Sequence, residues 1–155
     1  MKRFRLLAPA FALIACLAAC SSTRLIESSM ATNVAAFHPA DPAKPEDGGT
    51  ITVRYINETV ASLGFTRAEH RLYLEGKLVA QFANDTAFGI LSVSDITRDL
   101  PVRFDSPAYV RELAARGPVV HYRLESKIFQ RLGDDRNELK LTAEGSLDLR
   151  GTPAP

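Results

Sequence analysis

Thr50–Ala80 reads TITVRYINETVASLGFTRAEHRLYLEGKLVA. Ile51, Val53 and Tyr55 share one face of an extended chain, with Thr52 and Arg54 on the other. That two-residue alternation predicts a half-buried strand, which Asn57 ends. Leu63 and Phe65 lead into Leu72 and Leu74, with Arg71, Tyr73 and Glu75 outward. Glu75-Gly76-Lys77 supplies the glycine that a tight hairpin needs for positive φ, and Leu78-Val79-Ala80 begins the return strand.

The same pattern continues downstream. Phe82 through Val93 is a less regular apolar run, and Leu100, Val102 and Phe104 alternate against Arg103 and Asp105. One helix interrupts: Ser106 suits the N-cap, Pro107 the first helical position and Gly117 the position beyond the end. Val110, Leu113 and Ala114 form its apolar stripe, while Arg111, Glu112 and Arg116 face away. Val120, Tyr122 and Leu124 form the next strand, and Asp134-Asp135-Arg136-Asn137 a charged turn. Leu139 and Leu141 pair back, and Gly145 marks a bulge or bend before Leu147 and Leu149. Six or seven strands with one short helix predict an all-β, immunoglobulin- or fibronectin-III-like β-sandwich.

The chain of 155 residues has room for one domain. Residues 1–19 begin with Lys2, Arg3 and Arg5 and continue through LLAPAFALIACLAA, the layout of a secretory signal peptide. The whole chain holds 19 basic and 18 acidic side chains; losing those three leaves 16 against 18. A mildly acidic domain of mixed charge has no electrostatic footprint for nucleic acid, and none for an anionic membrane surface. Cys16 and Cys20 are the only cysteines, so no structural disulfide is expected in the domain. Leu17-Ala18-Ala19-Cys20 resembles a bacterial lipobox, which implies acylation of Cys20 and cleavage before it. Ser21 and Ser22 follow with no Asp beside Cys20, and by analogy with enteric lipoproteins this favours the outer membrane. Residues 20–32 then read as a lipidated tether, residues 33–152 as the domain and residues 153–155 as a frayed tail. The low bulk and the spacing of Pro39, Pro42 and Pro45 extend tether-like composition to Glu46. Asn33–Phe37 can nevertheless pair as an edge strand, so both boundaries stay open.

Sites of chemistry are few. No glycine-rich phosphate loop, Cys/His cluster or Gly-x-Ser-x-Gly elbow is present, no cofactor is implied, and the domain reads as non-catalytic. His38, His70 and His121 are the only histidines, and His70 and His121 are expected on the solvent side of their strands. His121 and Glu125 suit one ion pair. Asp134, Asp135 and Glu138 are candidate Ca²⁺ ligands, but the flanking Arg131 and Arg136 favour a solvated turn. Tyr55, Tyr73 and Tyr122 read as core or half-buried positions. Arg98, Arg103 and Arg123, with Asp99 and Asp105, read as surface charges. Asn57 is the residue to single out, either as the hydrogen-bonding anchor of its turn or as a ligand contact.

From Ile51-x-Val53-x-Tyr55-x-Asn57 onward the chain resembles the late-embryogenesis-abundant (LEA) type 2 family, also called the water-stress-and-hypersensitive-response domain. Leu72-x-Leu74-x-Gly76, Val79-Ala80, Leu100-Pro101-Val102, Gly117-Pro118-Val119 and Tyr122-Arg123-Leu124 match that family's turns and strands over about Asn33–Arg150. Glu58-Thr59 stand where the family has Pro-Asn, and His70 where it commonly has Tyr. The resemblance implies a fibronectin-III-like sandwich and a link to desiccation or envelope stress, with no catalytic residue to carry over. The expected function is that of a periplasmic, membrane-anchored protective lipoprotein held by the lipid on Cys20. The alternative is a non-catalytic module that recruits envelope proteins.

Overall fold

Nine strands and one α-helix make up the computed structural model, which describes residues 29–132 and 135–151. In chain order they are β1 (Met30–Pro39), β2 (Gly49–Asn57), β3 (Leu63–Phe65), β4 (Arg67–Leu74), β5 (Lys77–Asn84), β6 (Phe88–Ile90) and β7 (Ser94–Val102). After these come α1 (Pro107–Arg116), β8 (Val119–Leu132) and β9 (Asp135–Asp148). Residues 1–28, which hold the stretch read as a signal peptide and Cys20, lie outside the described residues, as do residues 152–155.

The fold is all-β and its sheets are open. One sheet has the order β1-β2-β7 and the other β5-β4-β8-β9, while β3 and β6 form a small ribbon. Every pairing is antiparallel. Residues of alternate parity from both larger sheets meet in one core, including Phe37, Ile51, Val53, Leu72, Leu124, Ile128 and Leu139. The remaining parity faces out and is polar, which is why period-two alternation is so clean here.

Several boundaries differ from the sequence reading. The composition places the domain start at Asn33, yet β1 begins at Met30, where Met30 and Thr32 are buried. The tether-like stretch therefore contains a full ten-residue strand paired to β2. Small side chains such as Ala31 and Ala36 sit there as intermediate positions rather than as signs of disorder. Glu46 belongs to a 3-10 turn, Pro45–Asp47; it is buried and accepts a hydrogen bond from Arg111 at 2.7 Å, so Arg111 ties α1 to this turn. The Glu46 carboxyl is held below its ordinary value chiefly by that bond.

Gly145 makes no bulge. It sits in unbroken register opposite Tyr122, and a Cβ there would lie 2.9 Å from the tyrosine ring. The glycine leaves room for a core side chain, so β9 runs on through the position where a bulge or bend was expected. Leu132 pairs with Asp135 and Gln130 with Asn137, so residues 135–137, expected in a turn, belong to β9. Asp134 and the side chain of Asp135 lie outside the described residues. Glu138 stands 3.6 Å from both Lys127 and Lys140. At the helix, Ser106 is the N-cap residue without a side-chain cap bond; its carbonyl instead accepts from the Tyr109 and Val110 amides. Gly117 has extended backbone (φ 173°) rather than a left-handed cap.

Candidate functional site

Two polar constellations and one concave face stand out among the described residues. The first is built on Asn57, at the last position of β2, with its side chain 1% exposed. Its Oδ1 accepts from the Thr59 amide at 2.9 Å and the Thr59 hydroxyl at 2.7 Å. Its Nδ2 donates to the carbonyls of Ala61 at 2.8 Å and Leu91 at 2.9 Å. One amide thus closes its own loop and ties it to the loop after β6. The Val93 amide adds a bond to the Thr59 carbonyl at 2.9 Å. Both ends of the Asn57 amide are engaged within the protein, which leaves it a fastener between loops. Val93 holds φ 47° in the second loop. For a β-branched residue the left-handed region costs about 1–2 kcal/mol, and this knot keeps it there.

The second constellation joins the two sheets through the core. His70 Nε2 lies 2.7 Å from the Tyr55 hydroxyl, and Nδ1 lies 2.9 Å from Ser126 Oγ. Ser126 Oγ is 3.2 Å from Thr32 Oγ1. Thr32 and Tyr55 come from one sheet, His70 and Ser126 from the other. His70 is 2% exposed, where a solvent position was expected; it shares the parity of Leu72 and Leu74, and that parity points inward. Its ring packs against Phe82, with centroids 5.1 Å apart. Burial lowers its pKa to about 4, so the imidazole is neutral at pH 7, and burial pushes the Tyr55 phenol above its ordinary value. A hydroxyl beside an imidazole is a nucleophile's arrangement, but all four side chains are buried and bonded to one another. The chemistry they perform is polar cross-linking of two apolar layers.

The outer face of the four-stranded sheet forms a concavity of about 570 Å³ over the row Phe82, His70, Ser126 and Leu141. Glu69, Arg71, Glu125, Lys127 and Lys140 stand around it with signs interspersed. Glu125 meets the Tyr73 hydroxyl at 3.0 Å and Arg123 at 3.0 Å, so its carboxylate is taken by those partners rather than by His121. His121 is exposed and offers its backbone amide to Glu75. Tyr55 and Tyr122 lie in the core and Tyr73 is half-buried beneath Arg123, whose guanidinium sits 4.1 Å from the ring centroid. Arg98, Asp99, Arg103 and Asp105 are exposed.

No protein-family model matches the chain, and no curated protein matches it. Solved structures do. AT1g01470 from Arabidopsis thaliana is 13% identical, with a TM-score of 0.54 over 76% of this chain and 78% of its own. At2g46140.1, whose description is that of a late embryogenesis abundant protein, is 12% identical, with a TM-score of 0.53 over 81% of this chain and 71% of its own. A protein from Archaeoglobus fulgidus is 16% identical, with a TM-score of 0.49 over 76% and 94%. The class defined by the paired open sheets is all-β. Within that class the fold is of the LEA type.

Proposed function

We propose that this chain is a LEA type 2-like protective domain carried on the periplasmic face of the outer membrane by an acylated Cys20. The observation that carries the reading is the LEA-type fold, since two structures above a TM-score of 0.5 align with three quarters or more of this chain. The turn and strand motifs from Ile51 to Leu124, and the two facing sheets read as a fibronectin-III-like arrangement, support it. Leu17-Ala18-Ala19-Cys20 supports the anchor. Protection during water loss needs no reacting centre; it needs a stable, polar-faced body held at high local concentration near what it shields.

The test dries a labile enzyme with the chain from residue 20 onward, carrying Cys20→Ser, and then rehydrates it. An unrelated β-protein at equal molarity is the control. Recovery well above the control is the expected result, and recovery equal to it removes the protective role. A second reading, a non-catalytic interaction module, is favoured by the open sheets, whose edge strand β5 can accept an extended peptide. A partner recovered from cells at stoichiometric yield selects that reading.

A further inference from the structure

Four of the described residues are large, apolar and strongly exposed, and three of these stand together. Val60 is 92% exposed, Leu91 70% and Val93 73%. Val60 lies in the loop after β2, Leu91 and Val93 in the loop after β6, and the Asn57 knot joins the two loops. Thr59–Ser62 and Gly89–Ser94 carry no charged side chain; Glu58, exposed, precedes the first stretch, and Asp95, paired with Arg54, follows the second.

The described chain begins at this same pole. Met30 pairs with Asn57, and the Glu58 amide donates to the Ser29 carbonyl at 2.9 Å. Asn57 in turn pairs with Ser94. Nine residue steps separate Cys20 from Ser29. Whatever their conformation, they span at most about 30 Å. The opposite pole carries α1, the Pro45–Asp47 turn and the Glu75-Gly76 turn, linked through Glu46–Arg111 and through the Tyr109 hydroxyl on the Leu74 carbonyl.

We infer that the Val60/Leu91/Val93 tip is a membrane-contacting surface that rests in the interfacial region of the bilayer holding Cys20. The inference rests on the lipid-anchor reading above. A short leash between Cys20 and this pole keeps these side chains close to the lipid surface. The loop apices, free of charged side chains, enter the headgroup boundary at little desolvation cost, while Glu58 and Asp95, exposed beside them, keep to the aqueous side. The knot matters because a rigid tip loses little freedom on inserting. The domain then stands on its N-terminal pole, with α1 facing away from the membrane.

The test uses the chain from Cys20 to Pro155 in phosphatidylethanolamine/phosphatidylglycerol vesicles containing a phospholipid with a diazirine in its acyl chain. One preparation is the protein as acylated by cells. The other is unacylated protein whose Cys20 thiol is coupled to a maleimide-bearing phospholipid. Illumination followed by peptide mapping reads which residues touch acyl chains. Peptides holding Val60 and Leu91–Val93 are expected to take roughly tenfold more lipid than the Glu75-Gly76 turn in both preparations. Combining Val60→Ser, Leu91→Ser and Val93→Ser brings the tip to the level of that turn without altering the circular dichroism. Equal labelling of both poles in the thiol-coupled form overturns the proposal. So does a tip shielded by a second copy or by residues 21–28. If the protein from cells lacks acyl chains while the thiol-coupled form labels at its tip, the anchor reading falls and the tip surface stands.

Discussion

Asn57 and His70 show how one side chain can organise two elements. Removing the Asn57 amide leaves two carbonyls and an amide without their partner in a part-buried site, so Asn57→Ala costs about 3 kcal/mol in urea unfolding. Asn57→Asp is at least as damaging at pH 7, because a carboxylate oxygen then faces the Ala61 and Leu91 carbonyls. His70 makes stability depend on pH. Its folded pKa of about 4 lies below its unfolded value of 6.5, so the unfolded state takes up the proton first as pH falls. The contribution is intact above pH 6.5 and is lost progressively between there and pH 4. It amounts to about 2 kcal/mol by pH 5. His70→Phe keeps a ring against Phe82 and removes the titration; a denaturation midpoint that still falls as steeply from pH 7 to 5 in this variant excludes His70 as the cause. The signal for its burial was available in the sequence, since positions 70, 72 and 74 share one face.

At the level of strands, alternation carried most of the fold. Ile51/Val53/Tyr55, Leu72/Leu74 and Val120/Tyr122/Leu124 each announce a buried face, and each lies in the core. Composition misled where alternation was weak. In β1 the inward residues include Thr32, and alanines stand among the rest, so burial there comes from pairing to β2 and not from bulk. Gly145 was ambiguous for a different reason: its meaning lies in Tyr122, which faces it from another strand and leaves no local trace. The Tyr122 hydroxyl also accepts the Val34 amide at 3.1 Å, beside the register shift in β1. Gly145→Ala therefore pushes on a ring that also supports β1 and costs about 1–3 kcal/mol. A lower urea midpoint with an unchanged slope is the expected readout. The Asn57 knot was half legible: the Thr59 contact is local, whereas the Leu91 partner is thirty-four residues away. The buried Tyr55–His70–Ser126–Thr32 chain needed the sheet register to be seen at all.

For the molecule as a whole, the anchor and the protective role are the readings to test. Palmitate incorporated into the protein in cells, lost with Cys20→Ser together with the protein's place in the membrane fraction, is the expected result for an acylated chain. Label retained by that variant excludes Cys20 as the site. One feature of the architecture bears on how the chain is made. The earliest described strand packs against the last: β1 contacts β9, and Gly151 lies beside Pro39. β1 leaves the ribosome well before β9, so the part of the core that Met30, Val34 and Phe37 share with Leu139–Leu149 closes only after β9 has emerged. Pairing β1 with β2 can begin early, but closing the layers is a late, long-range event of the kind that slows folding and invites aggregation. β9 is thus the clasp of the domain. A nascent chain that stops short of β9 would present a half-built, adhesive core to whatever escorts it.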